Sequence, residues 1–270
     1  MGIEYRAVRK TFPDGTTAVD DFSLTLPSHS TTVLVGSSGC GKTTLLRMVN
    51  RMVEPTSGSV LIDDVDVARR KPVELRRSIG YVMQHAGLLP HRTVIDNVAT
   101  PLRLGGVDRV EARRRALEAI EQVGLDPALA KRYPRQLSGG QQQRVGVARG
   151  LVANPNVLLM DEPFGAVDPI VRSELQTELL RLQQDLGKTI VFVTHDIDEA
   201  FLLGDQVVIL ERGGRIAQVG TPEEILAAPA NDFVARFVGA DTAKRTLSVR
   251  TVGGRQVVVD AHGRPAGVLA

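Results

Sequence analysis

The sequence contains one cysteine, no long apolar run and little net charge. Because Cys40 has no second cysteine to pair with, an intramolecular disulfide is excluded, which fits a reducing cytosol. Apolar stretches such as Val157 to Met160 fall far short of the roughly 20 residues that span a bilayer, so any membrane connection must come through a partner. No apolar run follows Met1, so no secretory signal is expected. A net charge of +2 gives no reason to expect nucleic-acid binding.

Alternating strand and helix patterns are present along most of the chain. A chain of 270 residues with 43% hydrophobic residues can bury a sizeable core. The predicted strands are Ile3 to Val8, Phe22 to Leu26, Thr32 to Val35, Val60 to Ile62, Tyr81 to Met83, Val157 to Met160, Thr189 to Thr194, and a hairpin of Val207 to Leu210 with Ile216 to Val219. Such alternation predicts a mostly parallel sheet with helices on both faces.

Helical signals concentrate in the middle of the chain and after residue 168. An insertion from about 93 to 153 includes an amphipathic helix over Glu111 to Val123, which Gly124 ends. Its predicted apolar residues are Val110, Leu117, Ile120 and Val123, and Arg113 to Arg115 are predicted to form a solvated basic face. A later helix is capped by Asp168 with Pro169 at its first position, and Gly187 ends it. Its predicted apolar stripe is Leu175, Leu179, Leu182 and Leu186, and Thr221 to Glu224 form a capping box for a short helix.

A phosphate-binding loop follows the strand Thr32 to Val35. The segment from Gly36 to Thr43 matches G-x-x-x-x-G-K-[ST] and precedes a helical pattern over Thr44 to Met52. Glycines let several backbone N–H groups converge on phosphates at the positive end of the helix. Lys42 can reach the β- and γ-phosphates, and the Thr43 hydroxyl can hold Mg²⁺. The residues predicted to bind nucleotide here are Gly36, Ser37, Ser38, Gly39, Cys40, Gly41, Lys42, Thr43 and Thr44.

Two carboxylates follow the buried strand Val157 to Met160. Asp161 and Glu162 would lie at the strand's carboxyl end, where open α/β sheets collect their ligands. Asp161 suits coordination of Mg²⁺, and Glu162 suits polarisation of an attacking water. Two acidic residues at a strand end are common by chance, but an upstream phosphate loop makes them strong evidence for a nucleoside triphosphatase.

A Ser-Gly-Gly turn opens a second helix about 20 residues before Asp161. Ser138, Gly139, Gly140 and Gln141 can form a second anion-binding turn, which is useful if the nucleotide lies between two protomers. The octapeptide from Leu137 to Arg144 resembles the signature motif of ABC ATPases. The three motifs in this order identify the chain as a member of that family, over residues 1 to about 240.

This resemblance implies a fold and several further roles. The fold is α/β: a P-loop NTPase (RecA-like) core with a mostly parallel sheet, an N-terminal antiparallel β subdomain and an inserted α-helical subdomain. Gln84 resembles the Q-loop glutamine, which acts in catalysis and joins Thr43 and Asp161 around the metal. His195 resembles the switch histidine that contacts the γ-phosphate. Ala166 to Asp168 resemble the D-loop, with Asp168 reaching across a dimer.

Two further residues carry alternatives. Phe12 lies where the family places an aromatic ring that stacks on adenine; the alternative is an ordinary core phenylalanine. Cys40 is interpreted as a small spacer that faces the nucleotide. Alkylation of its thiol would then block nucleotide binding by bulk, and ATP would protect it.

Particular stretches resemble the ATPases of osmoprotectant importers, which serve uptake of glycine betaine, choline, carnitine and proline betaine. They are Asn50 to Gly58, Arg76 to Gln84, Gly87 to His91 and Gly140 to Arg149. The resemblance implies ATP and Mg²⁺ as cofactors and a second copy of the chain as partner in a head-to-tail dimer. It also implies integral membrane permease subunits docked on Gln84 to His91, indirectly a substrate-binding protein, and a place at the cytoplasmic face of the membrane.

The tail from 241 to 270 falls outside the predicted ATPase domain of residues 1–240. Val257 to Leu269 read as strand, turn and strand, and resemble the closing hairpin of a CBS domain. The segment is too short for one such domain, so a remnant or docking hairpin is expected rather than a sensor.

Other functions remain as alternatives. An ATPase for an amino-acid or other small-solute transporter is the nearest. A soluble ABC protein of DNA repair or translation would need long coiled coils or two fused ATPase domains, and neither fits in 270 residues. A P-loop kinase or GTPase is disfavoured by Leu137 to Arg144 and His195, and by the absence of an Asn-Lys-x-Asp motif.

Overall fold

The computed structural model describes residues 2–165, 167–239, 247–252, 255–259 and 265–268. Its strands are β1 (Ile3–Thr11), β2 (Thr17–Leu26), β3 (Thr31–Gly36), β4 (Ser57–Ile62), β5 (Val65–Asp66), β6 (Ile79–Val82), β7 (Val157–Asp161), β8 (Thr189–Thr194), β9 (Gln206–Leu210), β10 (Ile216–Gly220), β11 (Ser248–Val252), β12 (Arg255–Val259) and β13 (Pro265–Val268). Its α-helices are α1 (Lys42–Val49), α2 (Pro72–Ser78), α3 (Val94–Val98), α4 (Thr100–Leu104), α5 (Arg109–Gln122), α6 (Gly139–Leu151), α7 (Pro169–Leu186), α8 (Ile197–Leu203), α9 (Pro222–Ala227) and α10 (Asp232–Val238).

A six-stranded sheet with the order β10-β9-β3-β8-β7-β6 forms the centre of the molecule. All neighbouring strands run parallel except β9 and β10, which form the predicted antiparallel hairpin. Every residue of β3, β7 and β8 is buried, as expected for parallel strands covered on both faces. Val35 pairs with Thr194, and Asp161 with Val193. The carboxyl ends of these three strands therefore meet at one edge, where the candidate site lies.

Alternating residues of the central strands pack into two separate hydrophobic clusters. Val35 and Phe192 belong to the cluster that includes helices α3, α5 and α6. Leu34 and Val191 belong to the other cluster, which includes α1 and the N-terminal strands. Successive side chains of a strand point to opposite faces, so each short apolar run supplies both cores.

The N-terminal strands form a second, four-stranded antiparallel sheet with the order β2-β1-β4-β5. Its strands are longer than the sequence predicts, because only every second or third residue, such as Ile3, Tyr5 and Val8, is buried. The rings of Tyr5 and Phe22 lie 5.2 Å apart in an edge-to-face arrangement. Together the two sheets confirm the predicted α/β class with an antiparallel N-terminal part.

Helices α3 to α6 follow one another between β6 and β7. Helix α5 buries Ala112, Ala116 and Ala119 against this group, together with Ile120. The prediction that Val110 belongs to the apolar face is wrong, because Val110 is 78% exposed at the start of the helix. Ile120 and Val123 are buried as predicted, whereas the three alanines are missed by a pattern based on large apolar residues. Their small size lets α5 lie close to its neighbours.

The predicted solvated face of α5 is correct for Arg114 alone, whose side chain is 58% exposed. Arg113 forms a two-point ion pair with Asp96, and Arg115 donates to the backbone oxygen of Val152. Both arginines are therefore held against neighbouring segments. The structure shows no described helix with the length and apolar character needed to cross a bilayer.

Helix α7 begins and ends where the sequence predicts. The Asp168 carboxylate accepts from the amide of Val171, Pro169 is the first helical residue, and Gly187 adopts a left-handed conformation at φ +54°. Leu175 and Leu179 are buried as predicted. The side chains of Leu182 and Leu186 lie outside the described residues. The capping box of Thr221 and Glu224 is also present, at the start of α9.

The tail contains a three-stranded antiparallel sheet with the order β11-β12-β13. Strands β12 and β13 match the two predicted strands, whereas β11 was not predicted. The intervening turn and Leu269 lie outside the described residues. The likeness to a CBS hairpin and the division into domains at residue 240 stay predictions.

Candidate functional site

The phosphate loop connects the end of β3 to the start of α1, as its sequence predicts. Gly39 and Gly41 adopt φ values of +77° and +108°, which L side chains rarely tolerate. A Cβ at Gly41 would lie 2.5 Å from the backbone oxygen of Ala18, so the loop could not close with a larger residue. Ser37, Ser38 and Gly39 are exposed at the outer side of the loop, where a phosphate can reach them.

Lys42 projects into the curl of this loop. Its side chain is buried, and its ammonium donates to the backbone oxygens of Gly36 at 2.8 Å and Ser37 at 3.0 Å. A buried charge needs such partners to offset its desolvation. Thr43 and Thr44 follow on the first turn of α1 and are half-buried. The loop therefore presents one positive charge at the place where the sequence predicts the β- and γ-phosphates.

Cys40 corrects the prediction that its thiol faces the nucleotide. The side chain is fully buried and belongs to the cluster beneath the loop. Its sulfur lies 3.8 Å from the Lys42 ammonium, and a Cβ at Gly36 would lie 3.0 Å from it. The Cys40 side chain therefore fills the space under the curl of the loop.

We expect alkylation of Cys40 in the folded protein to be at least about tenfold slower than in urea, because the loop must open first. ATP should slow it further by holding the loop closed. Intact mass measured over time reports the reaction directly, since Cys40 is the sole cysteine. A folded-state rate equal to the rate in urea would place the thiol at the surface and contradict the structure.

Asp161 is the centre of a hydrogen-bond network at the end of β7. Its Oδ1 accepts from the Thr43 hydroxyl at 2.8 Å. Its Oδ2 accepts from Arg47 at 3.2 Å and from the Tyr81 hydroxyl at 3.1 Å. Asp161 itself is 5% exposed, so these partners hold a buried carboxylate in one orientation. Asp161 and Thr43 are brought together as predicted.

Arg47 and Tyr81 are members of this network that the sequence analysis missed. Arg47 is four residues after Thr43 on α1, and such residues share one face of a helix. Tyr81 is on β6, whose neighbour is β7. Both relations could have been found from the predicted elements, since a helix face and a strand neighbour are enough to bring these side chains to Asp161.

The donor set around Asp161 fits a magnesium ion. Thr43 offers a hydroxyl and Asp161 a carboxylate, and hard cations such as Mg²⁺ prefer oxygen ligands. Gln84, the third predicted ligand, is placed by its contact with Glu162. A single carboxylate suits Mg²⁺, which commonly takes only one or two along with water and substrate phosphates. No cluster of three or more His, Cys, Asp or Glu suited to a metal occurs among the described residues.

The three predicted catalytic residues converge. Glu162 Oε2 lies 3.0 Å from His195 Nδ1 and accepts from Gln84 Nε2 at 3.4 Å. Glu162 has an unusual φ of +44°, and its amide donates to the backbone oxygen of Val193. The strained turn directs the carboxylate away from Asp161, the residue before it, and towards the loop after β8.

A buried network supports the His195 segment from below. Glu199, on α8, accepts from the Thr194 hydroxyl and from Gln176 Nε2, which is on α7. Burial raises the pKa of the Glu199 carboxyl, and these hydrogen bonds act in the opposite direction. The link from Glu199 to α7 depends on a tertiary contact, which the sequence alone does not show.

Ser138 is the N-cap of α6. Its hydroxyl oxygen accepts from the Gln141 amide, and Gln141 Oε1 accepts from the Ser138 amide, which completes a capping box. Gly140 is needed here because a Cβ would lie 2.3 Å from Val171. Ser138 and Gly139 are exposed. In the described part of the chain, no hydrogen bond joins residues 138–141 to the phosphate loop, so the two anion-binding turns are separate features of one chain.

Helix α6 also binds the segment after β6 that contains Gln84. Gln143 donates to the backbone oxygen of Met83 and accepts from the Ala86 amide. Arg149 donates to the backbone oxygens of Ala86 and Gly87. The signature helix and the segment that carries Gln84 are thus linked at two points. Sequence reasoning missed both contacts, because they join backbone atoms to side chains about 60 residues away.

The structure shows where Asp168 and Phe12 lie, and their predicted roles stay predictions. Asp168 is exposed and caps α7, and Ala166 of the predicted D-loop lies outside the described residues. Phe12 is half-buried at the turn after β1, and the Lys10 ammonium lies 5.2 Å from its ring centre. Phe12 belongs to neither described hydrophobic cluster, so the alternative of a core phenylalanine gains no support.

Taken together, the fold and this edge of the sheet define a P-loop nucleotide-binding protein. The family model for the ABC transporter matches residues 19–165. The chain therefore belongs to the ABC transporter family.

Several relatives with named transport functions are similar to most of this chain. The carnitine transport ATP-binding protein OpuCA of Listeria monocytogenes is 49% identical over 239 residues, which is 88% of this chain and 60% of that protein. The glycine betaine uptake system ATP-binding protein YehX of Escherichia coli is 47% identical and is covered to 81%. The chain thus spans about 60% of the length of OpuCA and more of YehX.

Solved structures agree in fold. The ATP-binding cassette MJ0796, in a dimeric post-hydrolysis state bound to ADP and Pi, superposes with a TM-score of 0.74 at 34% identity. The match covers 82% of this chain and 98% of that one. The likeness confirms the α/β cassette fold.

Proposed function

We propose that the chain binds and hydrolyses ATP with Mg²⁺, and that two copies enclose two nucleotides in a head-to-tail dimer. The observation that carries this proposal is the convergence of Gln84 and His195 on the Glu162 carboxylate, next to Asp161 and Thr43. A carboxylate held by two neighbours at the end of a strand suits a base for an attacking water. The dimeric state of the MJ0796 cassette supports the second part.

In this proposal each residue of the site has one task. The loop from Gly36 to Thr43 binds the phosphates, and Lys42 donates to the β- and γ-phosphates. Thr43, Asp161 and Gln84 hold Mg²⁺, which when bound neutralises charge on the phosphate oxygens. Glu162 accepts a proton from water while His195 contacts the γ-phosphate. Ser138 to Gln141 of a second copy cover the nucleotide from the other side, and Asp168 lies at the dimer interface.

We further infer that this ATPase energises an importer of quaternary-amine osmoprotectants. The stretches that resemble such ATPases and the transport functions of OpuCA and YehX support this substrate class. Permease subunits would dock on Gln84 to His91 at the cytoplasmic face of the membrane, and a substrate-binding protein would act indirectly. The tail from 241 would be a small appendage to the ATPase domain of residues 1–240, and no nucleic acid would take part.

Uptake by the reconstituted complex tests both the ATPase activity and the class of imported substrate. The chain is co-purified with its permease, placed in vesicles with ATP inside, and given labelled glycine betaine, choline, carnitine or amino acids. We expect ATP-dependent uptake of the quaternary amines and its loss in a Glu162→Gln complex. Uptake of amino acids alone would replace the substrate class, whereas absence of ATP hydrolysis would overturn the ATPase itself.

A further inference from the structure

A cavity with a volume of about 490 Å³ lies on the helical segment, away from the nucleotide site. It is lined by the segment before α3, by α3, α4 and α5, and by Tyr133. None of the residues assigned to ATP binding lines it. The volume is in the range of sites for small molecules, which hold about 300–1,000 Å³.

The walls of this cavity are strongly positive, and we call it the arginine cavity. Arg92, Arg103, Arg109 and Arg113 face it, and Asp96 is the sole carboxylate that does. The Asp96 carboxylate is already engaged: Arg113 donates to both of its oxygens at 2.9 Å. Four arginines against one carboxylate leave the lining with an excess of three positive charges. The charge of Arg109 also acts on Asp96, and that of Arg103 acts on Asp108, which lies outside the lining.

Three of these arginines keep hydrogen-bond donors for a ligand. Arg92 gives one bond to the Thr100 hydroxyl, and Arg103 gives one to the Val107 backbone oxygen. Arg109 makes no hydrogen bond or ion pair among the described residues. A guanidinium carries several N–H donors in a fixed fork, so most of them stay available. Arg109 also lies one turn before Arg113 on α5, so the two like charges share the single carboxylate of Asp96.

An ordinary solvated basic face is the alternative for such arginines. It predicts side chains that spread apart into water and pair with nearby acids, as Arg114 does with Glu111 and Glu118. The arginine cavity differs in two respects, because its cations come from three separate segments and converge on one concave surface. Concave surfaces of one sign of charge concentrate counter-ions of the other sign.

We propose that the arginine cavity binds an anion with two or more phosphate charges. Guanidinium forks match the oxygens of a phosphate in a bidentate manner, and an excess of three positive charges in the lining calls for more than one negative charge. The cavity has room for a ligand larger than a single phosphate. The same chemistry occurs in a soluble polyphosphate and in an anionic phospholipid headgroup, and the experiment separates these two sources.

Binding is measured on a Lys42→Ala chain, in which the phosphate loop has lost its ammonium. Titration calorimetry with tripolyphosphate, without Mg²⁺, should show one saturable site per chain. Adding Arg109→Ala should weaken it about tenfold, as expected for loss of a charge-assisted hydrogen bond. Arg114→Ala is the matched control, since it removes the same charge from the same helix outside the cavity. Thermal unfolding checks that the variants fold, and Arg109 contributes no hydrogen bond whose loss would destabilise them.

Sedimentation with vesicles gives the second arm. Phosphatidylglycerol vesicles that bind the chain through Arg109, when tripolyphosphate does not, would assign the site to a lipid headgroup; phosphatidylcholine vesicles should not bind. Absence of binding to both probes would overturn the proposal. Equal losses in the Arg109→Ala and Arg114→Ala chains would overturn it too, because they would show attraction to overall charge alone. Either outcome leaves the ATPase proposal untouched, since Arg109 has no part in it.

Discussion

A Glu162→Gln chain is expected to retain ATP and to form a stable dimer, while its hydrolysis rate falls at least about 100-fold. The size of the loss follows from removal of a general base, whose contribution is typically 10²–10⁴-fold. The amide has nearly the shape of the carboxylate but cannot take a proton from water. Binding and closure therefore proceed, and the step that reopens the dimer does not.

The surroundings of Glu162 indicate that the substitution leaves the fold intact. Its Oε2 accepts from Gln84, and its contact with His195 Nδ1 depends on which ring nitrogen carries the proton. A glutamine can present either its oxygen or its amide group to these partners. Removing the carboxylate charge also removes its repulsion of the γ-phosphate, which favours the closed state.

Size-exclusion chromatography with ATP and analysis of the bound nucleotide measure the result. Glu118→Gln is the control, since it makes the same change on the exposed side of α5. A variant that elutes as a monomer with ATP bound would count against the sandwich dimer. One that hydrolyses ATP at the unmodified rate would remove Glu162 from the role of base.

Features with local causes could be predicted from the sequence. The start of α7 at Asp168 and Pro169 and its end at Gly187 depend on capping residues a few positions apart. Strand β8 has the predicted bounds, Thr189 to Thr194, because an unbroken apolar run is the pattern of a strand buried on both faces. The contact of Asp161 with Thr43 was also predictable. Asp161 lies at the end of β7 and Thr43 at the start of α1, and both positions are at the same edge of the sheet.

Features that depend on packing between distant segments could not be predicted from the sequence. Val110 and Ala112 are two residues apart on α5, and only the position of the neighbouring helices decides which of them is buried. The direction of the Cys40 side chain depends on the curl of the loop and on space next to Gly36. The pairing of Arg113 with Asp96 joins two helices. Arg113 was predicted to be solvated, but it forms part of the wall of a cavity.

The contacts of α6 bear on how the signature turn could move. Ser138 begins this helix, while Gln143 and Arg149 bond to Met83, Ala86 and Gly87, beside Gln84. A displacement of that segment by a docked permease would therefore be transmitted to α6 through these hydrogen bonds. The signature turn is then the point at which a second copy would detect that displacement.

Ser138→Arg provides the sharpest test of that role, with a hydrolysis rate expected to fall at least about 100-fold, the scale of losing a preorganised donor to the reacting phosphate. ATP binding to the monomer should stay nearly unchanged. Ser138 is exposed and makes no hydrogen bond to the phosphate loop within the described chain. An arginine there fills the turn that a γ-phosphate from the second copy would occupy.

The loss of the N-cap must be separated from this steric effect. Ser138 accepts from the Gln141 amide, and removal of such a cap costs about 1 kcal/mol of helix stability. Ser138→Ala loses the same cap but leaves the turn open, so it serves as the matched control and should keep a larger share of the activity. Fluorescent ATP titration at low protein concentration measures monomer binding in both variants.

Mixing two inactive chains then decides which copy uses Ser138. In a dimer of Ser138→Arg with Lys42→Ala, one site combines an intact phosphate loop with an intact signature turn from the other chain. If the sites are shared head to tail, the mixture regains hydrolysis that neither variant shows alone. If Ser138 served its own chain's phosphate loop, every site would carry a defect, the mixture would stay inactive, and Ser138→Arg would already have lost ATP binding as a monomer.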